Sequence, residues 1–309
     1  MKVIHSRIKV TDRELSGSEL LVWYLSVIQW KRLGYTTKIY VDDYNLQYIK
    51  DKKLYDLYDE VDSNFFNDED GFFVLNDIDK KHFWASSKIF LLENEIEPCI
   101  VTDYDFVPFK TIPTDDNEVI VYHKEKIYSY SYYNMDLFPL GYDKNNYSIP
   151  EWFTYEQTPV NTSICYINNK EVKKQYIEEA YKYILGNHED YTNLGSDMIY
   201  IEQRFLSELC YHLGVKITTL IDLKKETSVN KNYFHMHLYK DVDNEIMNRN
   251  KYPNCWHIFL LDIINKKNPE LYNSIITLNE FSKDKEYIDK NGFNSYKEPF
   301  PLKISNWDL

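Results

Sequence analysis

The sequence predicts one α/β domain, and three features predict it. Residues 2–41 form a strand–helix–strand pattern. A second amphipathic helix, Lys81 to Asn94, runs directly into the apolar strand Cys99 to Thr102. No repeat, low-complexity tract or linker divides the 309 residues. With 43% hydrophobic residues the chain carries enough apolar material for a full core, in one large domain or two ordinary ones.

In the first strand, Val3, Ile4 and Ile8 alternate with polar neighbours. Ser16 or Ser18 can cap the helix that follows; Leu20, Trp23 or Tyr24, Val27 and Trp30 recur at helical spacing, and Gly34 stops the run. Thr36 to Val41 is β-rich and ends in Asp42-Asp43, completing a unit that joins a parallel pair. Ligands of open α/β sheets settle beyond the carboxyl ends of parallel strands, so polar or acidic residues at those ends draw attention. Residues 54–66 form a short helix and strand around Leu54, Leu57 and Val61, and Asn67 to Gly71 a turn. The Lys81–Asn94 helix presents Phe83, Ser87, Phe90 and Leu91 as its inner face. Glu118 to Tyr122 is a strand, and Ser129 to Thr158, rich in Tyr, Asn and Pro, an irregular insertion. Ser163 to Ile167 is again strand-like. Val172, Tyr176, Ala180 and Ile184 mark a helix ending at Gly186, and Met198, Ile201, Phe205, Leu209 and Leu213 mark another before Gly214. Val215 to Leu220 makes a further strand, and Trp256 to Lys266 is one more helical stretch.

Charge excludes some functions. The 36 basic against 49 acidic residues give a net charge of −13, the opposite of the basic footprint that binding to a phosphate backbone requires, so no nucleic-acid partner is expected. An acidic protein that handles a polyanionic substrate must supply positive charge locally, and a bound divalent cation does so. No run approaches the roughly 20 apolar residues of a membrane span, and the stretch Met1 to Lys9 is too polar for a signal peptide; a cytoplasmic location is expected. Cys99, Cys165, Cys210 and Cys255 lie in apolar surroundings without a C-x-x-C pair, which suits reduced core thiols better than disulfides or zinc. The 29 tyrosines include a cluster at Tyr128, Tyr130, Tyr132 and Tyr133 suited to stacking against sugar rings, although compositional drift accounts for most of the total.

Thr102-Asp-Tyr-Asp105 places two carboxylates at i and i+2 after a short buried strand. In extended geometry they share a face, and a slight turn brings both toward a common ligand. Hard divalent cations choose such oxygens, Mg²⁺ or Mn²⁺ using one or two protein carboxylates and taking the rest from phosphates and water. An isolated Asp-x-Asp is common; here it is framed by Cys99-Ile-Val101 and Phe106-Val107 and set between a helix and a strand.

With Phe83-Trp-Ala-Ser-Ser-Lys-Ile-Phe90 before it, the run Glu97 to Val107 resembles the helix-plus-DxD segment of GT-A glycosyltransferases, in a bacterial and viral group of these enzymes. The resemblance follows the element order over roughly residues 1–240 and is specific around the DxD pair. It implies a GT-A-like fold, with a central mixed, mostly parallel sheet flanked by helices. It divides residues 1–309 into a nucleotide-binding half (1–125), an acceptor-side half with the Tyr-rich insertion (126–250) and a C-terminal helical tail (251–309). It also implies Mn²⁺ or Mg²⁺ as cofactor at Asp103 and Asp105, with Asp105 as direct metal ligand and Asp103 as the nucleotide-side partner that contacts the ribose, or the metal through water. Lys88 is then placed to reach a phosphate or the sugar. Trp84 faces the nucleotide or merely packs in the core.

Two later segments extend the resemblance. Pro159 to Cys165 is similar to an acceptor-side strand whose Asn161-Thr162 pair opens toward the donor sugar. Phe234-His-Met-His-Leu-Tyr-Lys240 resembles a late motif in which a His completes the metal shell and a Lys holds the diphosphate; His237 is preferred to His235 because Lys240 lies three residues on. Glu202 and Asp197 are the candidate bases toward the acceptor, against the plainer option that Glu202 decorates a first helical turn. The implied activity is metal-dependent, hexosyltransferase-type transfer of a sugar from a UDP- or GDP-linked donor to a carbohydrate or other hydroxyl acceptor. The alternatives are a sugar nucleotidyltransferase, disfavoured because His5 to Val10 lacks a glycine-rich loop, and an inactive glycan-binding domain. Hydrolase elbows, zinc-protease pairs and P-loops are absent from the sequence.

Overall fold

The first strand–helix–strand unit forms where the sequence predicts it, in a computed structural model that describes residues 1–11, 13–116, 118–125, 147–186, 199–223, 232–235 and 255–293. Strand β1 (Lys2–Arg7) pairs in parallel with β2 (Thr36–Val41) across helix α1 (Gly17–Arg32). Ser16 rather than Ser18 caps α1: its hydroxyl accepts from Glu19 N while the Glu19 carboxylate accepts from Ser16 N, a reciprocal capping box. Gly34, at φ 85, ends the helix run in a left-handed turn that a side chain would strain. The acidic end of β2 has a structural task. Asp42 is fully buried and caps α2 (Asp43–Asp51), accepting from Asn45 N at 2.9 Å.

Strand β3 (Glu60–Asp62) extends the sheet beyond β2, and α3 (Phe72–Leu75) and α4 (Ser86–Asn94) lead back to β4 (Cys99–Thr102) on the other side of β1. Helix α4 is shorter than the Lys81–Asn94 periodicity predicts. The Asp79 side chain accepts from Lys81 N, and its carbonyl from His82 N and Phe83 N, so the backbone before Ser86 is spent on local turns. The chain continues through β5 (Phe106–Pro108), β6 (Val119–Lys124), β7 (Val160–Ile167) and α5 (Lys170–Gly186). A π-turn at Tyr200–Arg204 opens α6 (Phe205–His212), followed by β8 (Ile217–Thr219) and β9 (Tyr233–His235). Among the described residues the carboxyl-terminal segment forms three α-helices, α7 (Cys255–Lys267), α8 (Pro269–Ile275) and α9 (Ser282–Asn291), where the sequence predicts one helical stretch. Pro269 closes off α7 and, with Asn268 as cap, starts α8.

Among the described residues seven strands form one sheet in the order β3-β2-β1-β4-β7-β6-β8, parallel throughout except for β7, which is antiparallel to both neighbours. The sheet is therefore mixed and mostly parallel. It is covered on both faces, as parallel sheets must be. Ile4, Tyr40, Val101, Val121 and Cys165 face α4, α5 and α6. On the opposite face, Ile39 and Val41 pack with α1 and the carboxyl-terminal helices, and Val3, Ile100, Ile120 and Ile164 pack with Trp30 and the small antiparallel sheet of β5 and β9. The direction of travel reverses at β1, because β2 and β3 lie to one side of it and β4 to the other, and in open α/β sheets ligands settle beyond the carboxyl ends of the strands at such a switch point. The Tyr128–Tyr133 cluster lies outside the described residues. Cys99, Cys165 and Cys210 are buried free thiols, and no described helix is long and apolar enough to cross a membrane.

Candidate metal centre and active site

Strand β4 is buried from Cys99 to Thr102, and the chain turns at the first residue beyond it. Asp103 N donates to Ser163 O of β7 at 2.8 Å, Thr102 Oγ1 donates to the same carbonyl at 2.7 Å, and Phe106 N closes the turn on Asp103 O at 3.1 Å. This turn carries the side chains of Asp103 and Asp105 to a common centre. From it β5 departs, and its pairing with β9 sets Phe106 opposite His235. The register brings the buried His235 ring to the acidic pair: Nε2 lies 3.4 Å from Asp105 Oδ1 and 3.6 Å from Asp103 Oδ2. One ligand atom from each of the three residues lies within 4.8 Å of the other two.

On the side of Asp103 away from His235, the Lys88 ammonium donates to Asp103 Oδ1 at 2.9 Å and to Thr162 O at 3.3 Å, and pairs closely with Glu202 Oε1. Thr162 Oγ1 donates to the same Glu202 oxygen at 2.7 Å. Burial pulls the Lys88 ammonium toward neutrality, but the Asp103 and Glu202 carboxylates more than reverse this and hold its pKa above the ordinary lysine value. Lys88 thus bridges the Asp103 and Glu202 carboxylates. Glu202 sits in the π-turn, an irregularity found frequently at functional sites. At 5% exposure it is no surface ornament of a helix. Trp84, conversely, is 50% exposed on the turn before α4, which excludes plain core packing. Asn161 is buried at the same edge; its amide donates to Glu125 Oε1 at 2.8 Å and its carbonyl oxygen accepts from Ser163 N. Asp197, His237 and Lys240 lie outside the described residues.

Tyr104, between the two aspartates, turns away from the centre and is wedged into a cage. Its ring packs on Trp23 with centroids 4.8 Å apart, and the Arg7 guanidinium lies 5.2 Å above it. Arg7 also lies over Trp23 and Tyr48 and donates from Nε to Asn45 Oδ1 at 2.8 Å. The cage fixes the middle of the turn and so the spread of its two carboxylates.

No protein family matches the sequence, and no curated protein matches it. Among solved structures the chain is similar to PaToxG glycosyltransferase, at 12% identity and a TM-score of 0.35 over 95% of this chain and 84% of that one. It is also similar to the galactosyltransferase LgtC solved with donor and acceptor sugar analogues, at 12% identity and a TM-score of 0.33 over 71% of this chain and 73% of that one.

Asp103, Asp105 and His235 suit a hard divalent ion. Two carboxylates and an imidazole are oxygen and borderline nitrogen donors of the kind Mn²⁺ and Mg²⁺ accept. An octahedral ion with ligands at about 2.1 Å sets adjacent donor atoms about 3 Å apart and opposite ones about 4 Å apart. The 3.4 and 3.6 Å separations from His235 Nε2 fall between those limits, and the three ligand atoms lie within 4.8 Å of one another. Asp103 and Glu202 share the Lys88 ammonium, while Asp105 has the His235 ring beside it, so a cation between Asp103 and Asp105 would offset their like charges. The histidine at the carboxylates is one that spacing alone ranks second: His235 is selected by its register with Phe106, a contact between segments far apart in sequence.

Proposed function

We propose that the chain is a GT-A-like, metal-dependent glycosyltransferase that moves a sugar from a nucleoside-diphosphate donor, UDP- or GDP-linked, to a hydroxyl acceptor. The observation that carries this proposal is the Asp103, Asp105 and His235 cluster at the carboxyl ends of the parallel strands. Asp105 and His235 would hold Mn²⁺ or Mg²⁺ directly, with Asp103 as the shared ligand on the Lys88 side. An ion held there would supply charge neutralisation for the departing diphosphate.

The protein's own groups do the rest. In the transfer the bond from the anomeric carbon to the diphosphate oxygen breaks and a bond to the acceptor oxygen forms, the acceptor proton passing to a base or to the leaving group. Lys88 and Thr162 both engage Glu202 Oε1 and fix that carboxylate beside the centre, in position to orient the donor sugar or the acceptor hydroxyl. Asn161 lines the same edge, held by Glu125, and Trp84 offers an exposed aromatic face on which a base can stack. His237 and Lys240 are assigned to the diphosphate side and Asp197 to the acceptor side on the sequence resemblance alone.

A thermal-shift panel of UDP, GDP, CMP and their sugars, with and without Mn²⁺, tests the proposal. A ligand present at 100 times its Kd stabilises the folded state by about 2.7 kcal/mol, which raises Tm by about 5 °C for a chain of this size. The expected result is a shift for one nucleotide that needs the metal and is lost in Asp105→Ala. Metal-independent shifts, or none for any nucleotide, contradict the proposal.

A further inference from the structure

Next to the metal cluster lies a buried histidine to which neither the sequence nor the proposed chemistry assigns a task. His5 is on β1, one residue beyond the Ile4 to Val101 pairing with β4, so it stands at the edge of the strand that delivers the aspartates. It is 1% exposed. Trp23 Nε1 donates to the Tyr58 hydroxyl oxygen at 2.6 Å, and that hydroxyl lies 2.6 Å from His5 Nδ1. Indole is only a donor, so the Tyr58 oxygen is the acceptor of that bond and its own proton is directed to Nδ1. The ring proton of neutral His5 therefore sits on Nε2. This atom is buried and has no hydrogen-bond partner among the described residues.

A buried imidazole N–H without an acceptor is costly and is retained where a partner arrives. Burial pushes the His5 pKa down to about 3, and the Asp105 carboxylate pulls the other way. Trp23 links the two sides of the arrangement, since its indole orients Tyr58 and its ring props Tyr104 between the aspartates. We infer that His5 is a positioning residue for the metal centre: its Nε2–H, set by the Trp23, Tyr58 and Nδ1 chain, supports the Asp105 carboxylate, across a bridging water, when the ion is bound. Carboxylates that ligate metals are themselves commonly hydrogen-bonded from behind, and losing such a partner costs about 10-fold to 100-fold in metal affinity. The inference rests on the proposed metal role of Asp105.

The test is Mn²⁺ affinity, read by electron paramagnetic resonance of the free ion in the absence of any nucleotide, for the wild type and for His5→Gln, His5→Phe and Tyr58→Phe. Glutamine carries an N–H donor near the Nε2 position; phenylalanine fills the space without one. In Tyr58→Phe the ring stays but the hydroxyl that fixes its tautomer is gone. The expected result is about 10-fold or greater weakening in His5→Phe, near-wild-type affinity in His5→Gln, and an intermediate loss in Tyr58→Phe, with circular dichroism of the metal-free proteins unchanged. Wild-type affinity in both His5→Phe and Tyr58→Phe overturns the role of His5 and leaves the metal site standing. Equal weakening in His5→Gln and His5→Phe assigns His5 to packing and overturns it as well. If His5→Phe does not fold, Tyr58→Phe decides by the same readout. A wild type that takes up no Mn²⁺ removes the metal reading itself, and this inference with it.

Discussion

Asp103 and Asp105 share His235 and differ in their other neighbours. Asp103 also pairs with Lys88, which holds Glu202 as well, whereas Asp105 lies on the His235 side. Lys88 holds the first of these arrangements together from an almost buried position, so Lys88→Met leaves two carboxylates facing each other without a counter-charge. Breaking a buried pair in this way costs about 3 kcal/mol, read as a lower urea midpoint. Part of that loss returns in the double variant Lys88→Met with Glu202→Gln, because the residues are coupled. His5 makes a second prediction, in pH. Its folded pKa, about 3, lies below the ordinary 6.5. Below 6.5 the unfolded chain binds a proton that the folded protein refuses. The contribution of His5 to stability is thus complete above pH 6.5 and declines as pH falls from there toward 3, by up to about 1.4 kcal/mol per unit. Stability measured at about pH 7.5 and about pH 5.5 falls further in the wild type than in His5→Phe, by about 1 kcal/mol; equal falls in the two count against a neutral buried His5. The aspartates are legible in sequence because their spacing is local. The place of His235 beside them is not, because it comes from a strand pairing between distant segments.

At the scale of elements, what the sequence predicts well is what short-range chemistry decides. The first turn of α1 is fixed by the Ser16 and Glu19 box, and Ser16→Ala removes about 1 kcal/mol of stability. Helix α5 follows its apolar spacing to Gly186. Legibility fails where a few residues find distant partners: β5 and β9 are three residues each and exist through each other. It also fails where a polar side chain has two possible uses, as Asp42 does in capping α2 instead of facing a ligand. The π-turn and α6 fasten the segment that leads into β7. Glu208, fully buried, accepts from Thr154 N, Thr154 Oγ1 and Gln157 N, while Arg204 donates to the carbonyls of Tyr155 and Gln157. Glu208→Ala strands these donors, at a cost of about 2 kcal/mol. Faster hydrogen exchange at Thr154 and Gln157 is the expected local signature; unchanged protection there contradicts the fastening role.

For the molecule as a whole, the sheet is closed on one face by α4, α5 and α6 and on the other by α1 together with the carboxyl-terminal helices. Leu260, Leu261 and Ile264 of α7 are buried in one cluster with Leu21, Trp23 and Leu25 of α1, and Trp23 in turn supports Tyr104 and Tyr58. The segment that the sequence presents as a tail therefore backs the wall behind the metal cluster. Its apolar stripe shows a helix but not which surface receives it. Leu261→Ala lowers stability by about 2–5 kcal/mol, checked by urea unfolding; a near-neutral result sets α7 apart from the core. The central claim is that Asp103, Asp105 and His235 ligate one divalent ion, and the most direct measurement is an anomalous difference map at the manganese edge from crystals soaked in Mn²⁺. The account predicts a peak with Asp105 and His235 Nε2 at roughly 2.0–2.4 Å and Asp103 in the same shell. No peak at the cluster in a well-occupied soak, or one that leaves His235 and Asp105 beyond bonding distance, contradicts it.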